Sequence, residues 1–407
     1  MVNATPKKSG GLALVLLSVL SALFLAELGL RLMDFSFYWP LSRDPNPLTG
    51  WAAKPGTQGW QRLEGEAFIQ INQAGWRDIS HPLSAEPKRF RIALLGDSFT
   101  EAVQIPLSQT YWRLLPDYLQ RCHTPLTKPK EVEIINFAVS GYSTAQALMV
   151  LENHVAPYRP DLVILAFFTG NDIQENSQTL GGDAMRPTFD YSEGELVLNR
   201  DFRDSEEYQS KSRWMGRFKS ALLHHSRLAQ AVARAWYLHH LRLKQQASVP
   251  DTADLSPSEP GVDVRVYQPP KTQAWQSAWR VTEGLLKRMN DKVKKENSRF
   301  LVITLTNGAQ VHPDPQFRAH FKEQLGLSTL FYADERIRQI GVRHGFPVLN
   351  LAPGFQQFAT QTGIWLHGFK NTAPGVGHWN ENGHQLAAQS VADFLCQHSE
   401  LMALSRE

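Results

Sequence analysis

Five short apolar runs constrain this chain more than any other feature: Ile92 to Leu95, Val132 to Phe137, Leu162 to Phe168, Phe300 to Leu305 and Val348 to Leu351. Each is near-continuously hydrophobic rather than alternating, as expected of strands buried on both faces. The stretches between them are long enough to hold a helix and carry helical periodicity, so the pattern predicts a parallel sheet with helices on both faces. A chain of 407 residues with 42% hydrophobic and 20% charged residues has the material for such a core. In open sheets of this kind ligands sit beyond the carboxyl ends of the strands, and the chemistry is to be sought there.

Three of those ends carry polar turns. Ile92 to Leu95 runs into Gly96-Asp97-Ser98, Val132 to Phe137 into Val139-Ser140-Gly141-Tyr142, and Leu162 to Phe168 into Thr169-Gly170-Asn171-Asp172. Singly these are ordinary turn and cap sequences. A serine at the first position bends the chain, presents its hydroxyl, and faces the free amides of the next helix. A fourth block, Gly377-His378-Trp379-Asn380, supplies an imidazole near the C-terminus.

The four blocks in this order resemble the SGNH, or GDSL, hydrolase family over residues 90 to 394, apart from a middle insertion. The resemblance implies a flavodoxin-like strand order; nothing in the sequence points to a cofactor, and the expected mechanism needs none. The resemblance also implies Ser98 as nucleophile, His378 as general base, and an oxyanion hole from the Ser98 and Gly141 amides and the Asn171 side chain. The physics of each role is sound. A serine hydroxyl attacks well only when a neighbouring imidazole takes its proton, and the oxyanion that forms needs preorganised donors. Glycine at 141 keeps a side chain from obstructing one of those donors. His384, six residues beyond His378, begins an apolar helical pattern and reads as structural.

One element departs from the family. An aspartate is expected two or three residues before the histidine, where this chain has Gly375 and Val376. Three explanations stand, in this order: a backbone carbonyl orients His378; a carboxylate from elsewhere, such as Glu381 or the insertion, replaces the aspartate; or the site is inactive.

The N-terminus bears on location. Lys7 and Lys8 precede an uncharged apolar run from Gly10 to Ala26 that continues through Glu27 and Arg31 to Met33. A cleavage site requires small residues at its last and third-last positions, and Phe24-Leu25-Ala26 offers only one of them, which favours an uncleaved anchor over a signal peptide. The leading lysines place the short N-terminus in the cytoplasm and the remainder outside it, periplasmic or at the cell surface. Residues 1 to 34 therefore read as the anchor, and 35 to 88 as a linker with a small strand pair around Glu66 to Asn72. Residues 89 to 400 read as the hydrolase-like domain, with an insertion at 177 to 274. Trp51, Trp60 and Trp76 read as packing at a domain junction, with a sugar-binding face as the alternative.

The insertion's first half, through Trp214, Leu222, Val232 and Trp236, is amphipathic and helical; Ala247 to Pro260 reads as a loop. It is either a lid over the site or a membrane- or partner-facing helix. The basic cluster Lys287 to Lys295 reads as a solvated helix face, and a net charge of +3 gives no case for nucleic acid. The histidine pairs 224–225 and 239–240 lack partners at ligand spacing, so no metal is expected. Cys122 and Cys396 either pair or stay apart.

The expected function is ester hydrolysis at a membrane, on an ester-bearing lipid or an acylated glycan. Acyl transfer to an envelope polysaccharide is the alternative with the same residues, and noncatalytic glycan or partner binding is the third.

Overall fold

The computed structural model describes residues 9–38, 43–84, 89–121, 131–247 and 261–403. Cys122 and the loop expected after Ala247 lie outside them. The strands are β1 (Asp44–Asn46), β2 (Gly50–Ala52), β3 (Gln58–Gln61), β4 (Ala67–Gln70), β5 (Phe90–Leu95), β6 (Val132–Asn136), β7 (Leu162–Phe168), β8 (Thr188–Ser192), β9 (Glu195–Asn199), β10 (Arg299–Leu305) and β11 (Val348–Asn350).

Five of these form one sheet in the order β11-β10-β7-β5-β6, with every pairing parallel. Read from the other edge this is second, first, third, fourth, fifth, the flavodoxin-like order. Alternate residues of β5 serve opposite faces: Ala93 and Leu95 join one apolar cluster, Ile92 and Leu94 the other. The first cluster is roofed by the helix Gln273–Lys295 and the second by Tyr111–Leu119 and Glu381–Gln397. The five predicted strands and the three-layer class are thus observed. The basic side of Gln273–Lys295 is solvated, with Lys287 paired to Asp291 and Lys292 to Glu296.

Strand β4 forms where the alternation of Glu66 to Asn72 predicts one, but its partner is β3 upstream, through a turn at residues 62 to 66. Ala67, Ile69 and Ile71 pack with Tyr38, Ala53 and Val103, which fastens the hairpin to the sheet domain. Trp51 and Trp76 are buried at that junction. Fully buried Arg91 ties the segment down from the other side. It pairs with Glu133 and donates to the carbonyls of Pro82, Leu83, Ser84 and Tyr158.

The helix Ser9–Leu32 stands out from the rest. Its stretch Gly11–Leu32 has a mean hydropathy of 2.3 and is long and apolar enough to cross a membrane. The insertion holds the hairpin β8–β9, which the sequence reading did not foresee. Three helices follow, Glu206–Ser212, Trp214–His225 and Arg227–Ala247. The helices lean on the N-terminal segment: Arg203 donates to the Pro47 carbonyl, Ser220 to Asp44, and Gln230 accepts the Phe37 N–H.

Candidate active site

Ser98 opens the helix Ser98–Glu101 directly after β5, with Asp97 as its N-cap accepting the Phe99 N–H at 3.0 Å. Residues 97 and 99 to 102 are buried and Ser98 alone in that turn is half-exposed, so the fold hides the frame and offers the hydroxyl. Strand order sets the rest. β5 lies between β6 and β7, and Gly141 and Asn171 follow the carboxyl ends of those two neighbours. The three polar turns of the sequence therefore stand side by side, with the serine in the middle.

The Gly141 turn is clamped from two directions. Glu101 accepts both the N–H, at 2.7 Å, and the hydroxyl of Ser140, and its other oxygen accepts from Tyr38 at 2.8 Å. On the far side Arg186 donates to the Gly141 carbonyl at 3.0 Å. Gly141 has φ +78, a left-handed conformation that glycine adopts without cost. Asn171 precedes the helix Asp172–Glu175, and its side-chain oxygen is buried with no hydrogen-bond partner among the described residues.

His378 comes from the loop before Glu381–Gln397. Its Nε2 lies 2.7 Å from Ser98 Oγ. Its Nδ1 lies 2.7 Å from an oxygen of Glu64, and the other Glu64 oxygen accepts the His378 backbone N–H at 2.7 Å. This corrects the ranking made from sequence: the group on Nδ1 is a carboxylate, and it comes from the β3–β4 turn, not from Glu381 or the insertion. Glu381 is exposed in the first turn of its helix. Burial would raise the Glu64 carboxyl, but the hydrogen bonds and charge of His378, helped by Gln104, outweigh it and hold the group below the usual carboxylate range.

The sequence holds a faint signal for this. Gly377 has φ +83, and a Cβ there would meet Glu64 Oε1 at 2.3 Å. The glycine just before the histidine makes room for a carboxylate arriving from outside. The Glu64 turn is itself pinned by Asn371, which accepts the Gly65 N–H and donates to the Gly65 carbonyl.

Neighbouring histidines have other work. His367 is buried between Thr306 and the Gly377 carbonyl, and burial drives its ring down to about 4, so it is a neutral brace of the His378 loop. His384 is buried, accepts the Tyr111 N–H and is likewise pushed down, to about 3. Among the described residues there is no cluster of metal-ligating side chains.

The chain resembles the SGNH, or GDSL, hydrolases. No family model matches it. Among curated proteins it is similar to an arylesterase of Vibrio mimicus, 32% identical over 75 residues, which are 18% of this chain and 34% of the relative. The match thus spans about a third of that relative's length. Solved structures similar to this chain include an acetyl xylan esterase with 13% identity, 75% of this chain and 100% of that one covered, and a TM-score of 0.37. A catalytic mutant of an acetylxylan esterase from Geobacillus stearothermophilus shares 12% identity, with 75% and 92% covered and a TM-score of 0.36. A GDSL-like lipase from Bacteroides thetaiotaomicron shares 12% identity, with 76% and 88% covered and a TM-score of 0.32.

Proposed function

We propose that this chain is a serine ester hydrolase carried on an N-terminal membrane anchor, with its catalytic domain outside the cytoplasm. The observation that carries the reading is the unbroken line Ser98 Oγ, His378 Nε2, His378 Nδ1, Glu64, with 2.7 Å at each contact. That is the spacing a nucleophile, a base and an orienting acid require.

In the reaction His378 takes the proton of Ser98 as its oxygen attacks the ester carbonyl. The tetrahedral oxyanion is met by the Ser98 and Gly141 N–H groups and the Asn171 amide. Collapse expels the alcohol, which leaves with the proton held on His378 Nε2, and Ser98 is left acylated. Water, giving its proton to the same imidazole, then attacks the acyl carbonyl; the acid departs and Ser98 recovers its proton. Glu64 holds the Nδ1–H tautomer and balances the imidazolium that forms in each half. The substrate class is an ester, either of a lipid or of an acylated glycan.

The test is a fluorophosphonate probe on the full chain in detergent, with the adduct mapped by mass spectrometry. An adduct on Ser98, lost in Ser98→Ala and in His378→Ala, is the expected result. A folded chain that takes no label on Ser98 overturns the reading in favour of a noncatalytic binding protein.

A further inference from the structure

The helices Trp214–His225 and Arg227–Ala247 display apolar side chains that none of the described residues covers. Trp214, Phe218 and Leu222 recur at a spacing of four and are 74%, 63% and 48% exposed; Val232 and Trp236 on the second helix are 64% and 63% exposed. Helical residues four apart share a face, so these are continuous stripes and not scattered residues. Between residues 213 and 247 there are seven lysines and arginines and no aspartate or glutamate.

The corner joining these two helices is fastened to the foot of the apolar helix Ser9–Leu32. Glu27 accepts the hydroxyl of Ser226 at 2.9 Å and the N–H groups of Arg227 and Leu228 at 3.0 and 2.9 Å, capping the second helix, while Arg31 donates to the His225 carbonyl. Glu27 and Arg31 are themselves paired. A helix 21 residues long thus starts at the point where the anchor ends.

We infer that these two helices lie on the bilayer that the anchor spans, with Trp214, Phe218, Leu222, Val232 and Trp236 in the boundary between headgroups and acyl chains. The basic side chains beside them meet anionic headgroups. A polar, acid-free helix pair with aromatic apolar stripes is the composition of an interfacial element, and the occupant follows from continuity with the apolar anchor and from the charge. One consequence concerns the site. The segment leaving the anchor bonds to the machinery around Ser98: Tyr38 donates to Glu101, and the Tyr38 N–H to the Trp60 carbonyl on the hairpin that bears Glu64. A seated platform would fix the site near the membrane surface, where an ester presented by a lipid, or by a polymer close to it, is within reach. This inference rests on the anchor of the proposed function.

The full chain would be reconstituted into vesicles of phosphatidylcholine and phosphatidylglycerol, with and without bromine on the acyl chains, beside a Trp214→Phe/Trp236→Phe variant. Flotation with the vesicles is read first, tryptophan emission second. The expected result is flotation of both proteins, with bromine-dependent quenching in the parent and most of it gone in the variant. Flotation with quenching unchanged by the two substitutions overturns the platform and leaves the anchor standing. A chain that does not float overturns the anchor and the platform together.

Discussion

Glu64 grips His378 twice, one carboxylate oxygen 2.7 Å from the ring Nδ1 and the other accepting the backbone N–H at 2.7 Å, although the two residues are 314 positions apart. A bidentate hold on ring and backbone fixes both the tautomer and the loop that carries the imidazole. Four expectations follow from this and from the surrounding geometry.

Glu64→Gln preserves size and one acceptor but removes the charge that balances the imidazolium. Turnover should fall by about 10,000-fold, the loss seen when the orienting acid of a serine triad becomes an amide, with the melting temperature little changed. Glu64→Asp, too short by one methylene, should retain more activity than the glutamine variant. Steady-state kinetics on an aryl ester would show this. Equal activity in parent and Gln variant would remove Glu64 from the mechanism.

Gly377→Ala places a Cβ where Glu64 Oε1 now stands, 2.3 Å away, and sets an L side chain at φ +83. The carboxylate must move off His378. We expect a loss of turnover approaching that of Glu64→Gln, with roughly 1 to 2 kcal/mol of lost stability from the left-handed backbone. Combining the two substitutions should then cost little more activity than either alone, because both remove one contact.

Asn171→Ala deletes the amide proposed as the third oxyanion donor and spares the Ser98, His378 and Glu64 contacts. A loss of about 100-fold to 1000-fold in kcat with KM nearly unchanged is expected of an oxyanion-hole donor. Labelling of Ser98 by the fluorophosphonate should persist, more slowly.

Glu175 shows the opposite electrostatics from Glu64. Burial pushes its carboxyl from 4.5 up to about 7 despite the Arg186 guanidinium 3.0 Å away. The folded chain therefore binds this proton more tightly than the unfolded chain, so stability falls as pH rises from about 4.5 to 7. Denaturant melts at pH 5 and pH 8 should show Glu175→Gln lacking that fall. It is worth up to roughly 3 kcal/mol, from 1.36 kcal/mol for each pH unit. A variant whose stability tracks the parent at both values would contradict this assignment.

Much of this protein was legible in one dimension because it depends on local pattern. Continuous apolar runs as short as Leu162 to Phe168, bounded by turn residues, fit strands covered on both faces, and the helical lengths between them fit parallel connections, which points to the three-layer class. Ser98, Gly141, Asn171 and His378 stand out as candidates for a related reason: each sits a fixed few residues beyond, or before, an element the pattern defines. The hairpin β8–β9 was overlooked although it left a signal, since Phe189 and Tyr191 alternate with polar residues and Glu193-Gly194 forms a two-residue turn with both residues at positive φ. The partner of β4 was decided in three dimensions, where pairing with β3 buries Ile69 against Tyr38 and Val103.

Glu64 was out of reach for a deeper reason. A triad acid needs only to arrive at a hydrogen-bonding distance from the ring, and no spacing in sequence encodes that arrival when the acid comes from a separate hairpin. Sequence recorded the vacancy, as Gly375-Val376-Gly377 without an aspartate. Tertiary packing of β3 and β4 against the sheet domain, and the space a glycine leaves at 377, determined which carboxylate fills it.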